Sequence, residues 1–588
     1  MKYSDLMVKW LKEEGYTHCF FVAGGNIMHL LNSVRIEMTC IPFVNEVGGA
    51  IAVEAFNEMT SIKSGKAFLL VTAGPGLTNA VTGISGAWLE SRELLVIGGQ
   101  VKSSDLKSSG LRQRGIQEID GVTLVSSITK KSIRITTPIP RKDFIETVRQ
   151  GYTGRKGPVF IEVCLDAQAV VQMEMENTPC DLPATKTLAE KLDERVVSLI
   201  DHATRPILLI GGGVPFDFTR SHLEQLTRLG IPIMTTWNGA DRVPESHSHY
   251  FGRPNTWGQR AANLIIQQAD LVIAVGTRLG LQQTGFAWEE FLPNGKIVHI
   301  DIDKNELEKG HPVTEVRLNL DSKQFLLGLF EHYQNVELNF RPWLEFAKSS
   351  RDLISLNDHP NKTNAGYVDP YVFGTSLTDQ FEKDAIIVPC SSGSSFTVLM
   401  QTVILNNYQR MISSKGLASM GYGLSTAIGC SLANPAVDVV LVEGDGGFAQ
   451  NLQELGTVIA NNLPIKIFVW ANNGYASIRM TQRNYFDGSW VGCDSETGLG
   501  LPNLELLANT YNIPYIRMDE HIFTIQLLKN LANISGPVII EVPIDPEQTF
   551  YPKIMSAVQP DGSMKSNPLH LMSPDLPSDV AEKVIRYL

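Results

Sequence analysis

Short runs of apolar, often β-branched residues recur along the chain, each closing on glycine, asparagine or an acid: "HCFFVAGG", "AFLLVTAGPG", "LLVIGGQ", "PVFIEVCLD", "PILLIGGG", "DLVIAVGT", "KIVHIDID", "DVVLVEGDGG", "PIKIFVWANN" and "GPVIIEVPID". Segments with helical spacing lie between them. Continuous apolar runs alternating with helices predict parallel sheets covered on both faces, an α/β architecture of doubly wound sheets. In such sheets ligands sit beyond the carboxyl ends of the strands, where the glycine clusters fall.

The rhythm breaks twice, at about 168–188 ("AQAVVQMEMENTPCDLPATKT") and at about 336–366, which ends in "NDHPNKTNAG". Read as linkers, these breaks divide the chain into domains at 1–168, 188–336 and 366–545, followed by a Pro, Ser and Gly-rich tail at 546–588. A chain of 588 residues is too long for one core. The tail carries apolar patches at Leu569, Leu571 and Met572 and is expected to fold over a cleft. No short-period repeat is present, although the first and third domains can share an architecture.

Composition narrows the class. A net charge of -12 disfavours nucleic acid or an anionic membrane as the main partner. The seven cysteines are scattered, without a CxxC pair, so neither a disulfide framework nor a thiolate metal site is signalled. The N-terminus, "MKYSDLMVKWLKEEGY", reads as an amphipathic helix, and no apolar run approaches the roughly 18 residues of a membrane span. The expected location is cytoplasmic.

Candidate chemistry enters at "GDGG". Asp445 stands between Gly444 and Gly446, with Gly447 following, at the end of an apolar run; Asn472, Asn473 and Gly474 stand at the end of the next run, 27 residues from the acid to the first asparagine. That interval fits one βαβ crossover, so both side chains emerge at the carboxyl ends of parallel strands. A carboxylate, an amide oxygen and the Gly474 carbonyl are hard oxygen ligands of the kind Mg²⁺ accepts, with phosphate oxygens completing its shell. Glycines around the acid leave backbone N–H groups open to phosphate. GDG alone reads more readily as a helix cap and turn. The asparagine pair one crossover later favours the metal reading.

"GDGG" followed by "NNG" resembles the signature of thiamine diphosphate-dependent enzymes. The resemblance implies Asp445, Asn472 and the Gly474 carbonyl as Mg²⁺ ligands, with a pyrimidine-binding first domain, a central FAD-type domain and a diphosphate-binding third domain. It also implies a catalytic glutamate against the cofactor's aminopyrimidine. "CIPFVNEVGGAIAVEAF" supplies Glu46 in place of the family's "HE" motif, with Asn45 where the histidine stands, and "LLVTAGPGLTNAVTGISGAWLESRELLVIGGQ" continues the likeness. A glutamate at a strand end is otherwise far more often a solvated or capping residue; in an apolar setting it can share a proton with a ring nitrogen. In the family such a glutamate meets the metal site across a subunit interface, which implies a homodimer or homotetramer. Met420, in "GLASMGYG" with Ala418, falls where the family wedges the cofactor into its bent shape. "SSGSS", with Gly393, Ser394 and Ser395, falls at the diphosphate-binding segment, where acetolactate-type members carry Gln and His.

The likeness is closest to acetohydroxyacid (acetolactate) synthases. It implies FAD contacts from Gly212, Gly213, Thr236, Arg278 and Asp301, although ordinary strand-end glycines of a doubly wound domain would read the same way. The departures concern the acceptor substrate. The synthases' arginine for the carboxylate of the second 2-oxo acid is replaced by Gln282, their tryptophan by Thr481, and a phenylalanine before "QE" by Ile116, next to Gln117. A neutral amide cannot replace a guanidinium fork. The expected reaction is therefore decarboxylation of pyruvate and transfer of its two-carbon unit to a carbonyl acceptor, a keto-sugar nucleotide of deoxysugar or polysaccharide synthesis. The alternatives are an acetolactate synthase catalytic subunit, a pyruvate oxidase, and a non-catalytic paralogue.

Overall fold

The computed structural model describes residues 1–60, 65–171, 188–336, 338–356, 361–381, 384–390, 393–406, 408–518, 530–531 and 533–588. The apolar runs form three parallel sheets. The first contains β1 (Tyr16–Phe21), β2 (Thr39–Pro42), β3 (Lys66–Val71), β4 (Leu94–Gln100), β5 (Lys131–Ile135) and β6 (Pro158–Cys164), in the order β2-β1-β3-β4-β6-β5. The second contains β7 (Pro206–Ile210), β8 (Ile233–Thr235), β9 (Leu271–Val275), β10 (Lys296–Asp301) and β11 (Val316–Asn319), in the order β11-β10-β9-β7-β8. The third contains β12 (Ile386–Pro389), β13 (Arg410–Met411), β14 (Val439–Gly444), β15 (Ile465–Ala471), β16 (Tyr515–Arg517) and β17 (Val538–Pro543), in the order β13-β12-β14-β15-β17-β16. The third sheet repeats the strand order of the first. Central strands such as β4 are buried at every residue, which explains why they read as unbroken apolar runs rather than alternating ones.

In each sheet the chain winds one way from one strand and the other way from its neighbour: β1 and β3, β7 and β9, β12 and β14. The carboxyl ends of such pairs open the crevice where α/β sheets bind ligands.

The first and third sheets share one core. Helix Glu46–Met59 crosses helix Tyr422–Ala433 so closely that a Cβ on Gly429 would stand 2.1 Å from the Ala52 carbonyl oxygen. Ala50, Val53 and Phe56 from one helix and Leu424, Ala427 and Ile428 from the other belong to a single buried cluster. Each large side chain so buried stabilises by about 1.5–3 kcal/mol. Arg92 stitches the same junction, pairing with Glu54 at 3.2 Å and donating to the Ser413 carbonyl at 2.7 Å.

The expected linker at 336–366 needs correction, because it contains helix Arg341–Leu353. Trp343, Phe346, Ala347 and Ser350 form its buried stripe, a narrow helical period that the charged residues between them mask in the sequence. The break at 168–188 falls mostly on residues 172–187, outside the described residues. The tail forms two short antiparallel ladders, β18 (Lys553–Ile554) with β21 (Met572–Ser573) and β19 (Ser556–Val558) with β20 (Met564–Ser566), then helix Ser578–Val584. It covers the middle sheet: Leu569 is fully buried in that core, and Arg260 donates to the carbonyls of Met572 and Pro574. Among the described residues no helix is long and apolar enough to cross a membrane.

Candidate active site

β14 and β15 are hydrogen-bonded neighbours with Gly444 opposite Trp470, so Asp445 and Asn472 leave the same end of adjacent strands. The Asp445 carboxylate is buried and accepts three backbone N–H groups: Oδ1 from Gly446 at 2.8 Å, and Oδ2 from Asn472 and Gly474, both at 3.1 Å. Burial pushes its pKa up to about 6, against the opposing pull of these N–H groups. Oδ1 of Asn472 is buried without any hydrogen-bond partner. A buried amide oxygen left unpaired is costly in a folded protein and points to a missing ligand. Asn473, by contrast, is exposed and accepts the Ser495 hydroxyl at 3.1 Å.

Gly474 completes the turn in a conformation only glycine adopts easily, with φ +116° and a would-be Cβ 2.3 Å from the Cys493 carbonyl. Its own carbonyl accepts the Ala476 N–H at 3.1 Å, leaving one lone pair. Among the described residues no group of three or more His, Cys, Asp or Glu side chains is placed to hold a metal. The oxygens on offer are thus one carboxylate, one orphaned amide and one carbonyl, a set suited to Mg²⁺.

The glycines around the acid differ in what they face. Gly444 has open space where a Cβ would stand. A Cβ on Gly446 would meet the Tyr475 ring, and one on Gly447 the Glu443 carboxylate. Arg479 was not singled out in the sequence. Its guanidinium, 2% exposed, donates to the carbonyls of Asn472 and Asn473 at 2.5 and 2.6 Å and clamps the turn.

Glu46 is the first residue of its helix rather than the last of a strand, with Asn45 capping by accepting the Val47 N–H at 3.0 Å. A carboxylate is favoured at that end of the helix dipole. It is buried, and Oε2 accepts the Asn79 amide at 2.9 Å. Asn79 comes from helix Pro75–Glu90, whose N-cap Gly74 packs against the Gln117 carbonyl. Gln117 therefore borders the N-terminus of the helix that supplies Asn79, while Ile116 beside it is 84% exposed.

Within the single chain Glu454 joins the two halves: its carboxylate accepts the Asn45 N–H at 2.9 Å and the Val44 N–H at 3.4 Å. The residue preceding Glu46 is thereby fixed to a segment nine residues past Asp445. The resemblance implies that Glu46 meets the metal site across a subunit interface; the Glu454 contact is a separate one, between the first and third domains of one chain. Neither Asn79 nor Glu454 was legible as functional, because nothing in the sequence signals a partner 409 residues away.

Met420 is not a core methionine. It is 37% exposed, between Ala418 in the left-handed region and Gly421, with its sulfur 3.7 Å from the Gln450 amide. Gly393, Ser394 and Ser395 begin helix Gly393–Thr402; both serines are buried and the Ser395 hydroxyl is engaged with the Cys390 thiol at 2.8 Å. Gln282 and Thr481 are exposed, the first in the short helix Leu281–Thr284 and the second on helix Ala476–Tyr485.

In the middle sheet Thr236, Arg278 and Asp301 lie at or just past the carboxyl ends of β8, β9 and β10, and burial pushes the Asp301 pKa up to about 6. The glycine turn after β7 is filled by the chain itself. Gly213 donates to the Gly276 carbonyl at 2.9 Å, a Cβ on Gly211 would stand 2.1 Å from that oxygen, and Gly212 lies against Asn238. Backbone packing alone accounts for glycine at 211 and 213.

Three family models match the chain: the N-terminal TPP binding domain of thiamine pyrophosphate enzymes at residues 1–124, their central domain at 194–329, and their C-terminal TPP binding domain at 391–542. Over its length the chain is similar to the acetolactate synthase large subunit of Lactococcus lactis, 29% identical across 95% of each chain. It is also similar to the probable acetolactate synthase large subunit of Methanocaldococcus jannaschii, 29% identical across 94% of this chain and 93% of the relative. The acetolactate synthase isozyme 1 large subunit of Escherichia coli is 28% identical across 94% of this chain and 95% of its own. The chain belongs to the thiamine pyrophosphate (thiamine diphosphate) enzymes and is an acetolactate synthase-like member of them.

Proposed function

We infer that the protein is a carboligase that decarboxylates pyruvate and transfers the two-carbon unit to a carbonyl acceptor. The observation that carries this reading is the buried, unpartnered Oδ1 of Asn472 beside the Asp445 carboxylate, at the same end of two neighbouring strands. Asp445, Asn472 and the Gly474 carbonyl would hold Mg²⁺, and the open side of Gly444 admits the diphosphate. The cofactor supplies the carbanion chemistry when bound. Glu46 holds a proton at the pyrimidine side and Asn79 fixes its rotamer. Arg479 holds the metal turn in place.

Two acceptors are in play. The relatives' names favour a second pyruvate, giving acetolactate. Gln282 and Thr481, in place of the synthases' arginine and tryptophan, favour a different carbonyl compound such as a keto-sugar nucleotide. Product analysis after incubation with thiamine diphosphate, Mg²⁺ and pyruvate, alone and with a panel of carbonyl acceptors, decides between them. Acetolactate as the main product from pyruvate alone supports the first acceptor. Release of carbon dioxide only when another acceptor is present supports the second, and no pyruvate consumption under any condition contradicts the carboligase reading.

FAD in the middle domain belongs to the same proposal and rests on the crevice between β7 and β9 with Thr236, Arg278 and Asp301 around it; flavin absorbance of the purified protein tests it. A homodimer or homotetramer is the proposed assembly. Co-refolding inactive Glu46→Gln and Asp445→Asn chains tests which chains pair. Recovered activity supports a site that pairs Glu46 of one chain with Asp445 of another, as the family resemblance implies, and no recovery contradicts it.

A further inference from the structure

Lys553, in β18 of the tail, is 7% exposed. Its ammonium lies 3.4 Å from the Met480 sulfur and 5.1 Å from the centroid of the Tyr551 ring. Among the described residues no carboxylate pairs with it, although 24 other ion pairs form. A buried, unpaired ammonium is strongly disfavoured unless something offsets its lost hydration. Burial indeed holds its pKa below the ordinary lysine value. A sulfur and a ring face are weak substitutes for water.

Its position gives the cost a purpose. Met480 lies between Arg479, which clamps the metal turn, and Thr481. The Ile554 N–H, next to Lys553, donates to the Thr256 carbonyl at 3.4 Å, and the Thr256 N–H donates to the Gln282 carbonyl at 2.9 Å. Lys553 thus stands between the helix that carries Thr481, through Met480, and the backbone that carries Gln282, through Ile554 and Thr256. The resemblance implies a guanidinium lost at 282; the fold brings an ammonium from the tail to the neighbouring Met480.

We propose that Lys553 is the anion anchor of the acceptor side, binding the carboxylate or phosphate of an anionic carbonyl acceptor. The proposal rests on the carboligase reading and names its acceptor class. A lysine offers a compact point charge where an arginine would grip two oxygens at once, so it suits a carboxylate or a phosphate without demanding a planar partner.

Steady-state ligation by the holoenzyme tests this with Lys553→Met, Lys553→Arg and wild type, using pyruvate as donor. The acceptors are a 2-oxo acid, a phosphorylated ketone and a neutral aldehyde. K553M is expected to raise the KM for the anionic acceptor at least tenfold and to change that for the neutral aldehyde less than twofold. K553R is expected to recover most of the loss, and the 2-oxo acid and phosphorylated ketone arms tell carboxylate from phosphate. Because the substitution removes a buried unpaired charge, K553M is expected to melt at or above the wild-type temperature. Should K553M melt well below it, K553R and Lys553→Gln carry the same comparison. An anionic-acceptor KM within twofold of wild type in the neutral variants, an equal shift for the neutral aldehyde, or a wild type that ligates only neutral acceptors overturns the proposal. A wild type that releases no carbon dioxide from pyruvate with any acceptor overturns the carboligase reading instead.

Discussion

The backbone N–H of Asn472 donates to Asp445 Oδ2 at 3.1 Å, so one carboxylate binds the end of β14 to the end of β15 while the Asn472 side-chain oxygen is left unpaired. Geometry at this turn depends on Arg479, whose guanidinium holds both asparagine carbonyls. Arg479→Met is expected to keep the fold but weaken Mg²⁺ by roughly 10–100-fold, the usual cost of losing a residue that orients metal ligands. Metal titrations followed by cofactor binding check this; an unchanged metal affinity would show that the turn holds itself.

Glu46 and Asn79 form the proton-handling pair in this account. Glu46→Gln is expected to lower turnover by about 10²–10⁴-fold, the range for a lost general acid or base, with thiamine diphosphate affinity changed little. Asn79→Ala, which frees the carboxyl to rotate, is expected to give a smaller loss. Hydrogen–deuterium exchange at the cofactor's reactive carbon, read by NMR, separates a proton-transfer defect from a binding defect.

Glu454 is expected to matter for stability before it matters for chemistry. Its replacement by alanine leaves the Asn45 and Val44 N–H groups without their acceptor, at about 1–3 kcal/mol for each group that stays buried. Thermal unfolding of Glu454→Ala should fall by several degrees, with Glu454→Gln intermediate because one acceptor oxygen survives. Equal melting of all three proteins would remove this residue from the junction.

The strands were legible because both faces of each sheet are covered, which turns every core strand into an apolar run ending in glycine. Asp445 and Asn472 were legible because their spacing equals one crossover. Helix Arg341–Leu353 was hidden, since its four buried positions stand among charged residues in a stretch that ends in turn formers. Glu454, Arg479 and Lys553 were hidden for another reason. Each acts on a partner brought near only by packing of sheets and tail, and a lone charged residue in a sequence reads as a solvated one.

Asp301 gives a pH signature. Burial raises its pKa from 3.8 to about 6, so the folded state prefers the protonated form. The penalty is absent below about pH 4, where folded and unfolded states are both protonated, and grows as pH rises to about 6, reaching on the order of 3 kcal/mol. Asp301→Asn keeps the acceptor for the Asp303 N–H and removes the charge. It is expected to melt a few degrees above wild type at pH 7 and together with it near pH 4. A variant that melts lower at pH 7 would mean that the charge itself is needed.

Calorimetric titration of thiamine diphosphate into metal-free protein, with and without Mg²⁺, for wild type and Asn472→Leu, tests the site most directly. Mg²⁺ is expected to tighten binding at least a hundredfold in wild type, and the leucine variant to lose this gain while staying folded. Equal affinity with and without metal in wild type, or a full metal effect in the variant, would contradict it.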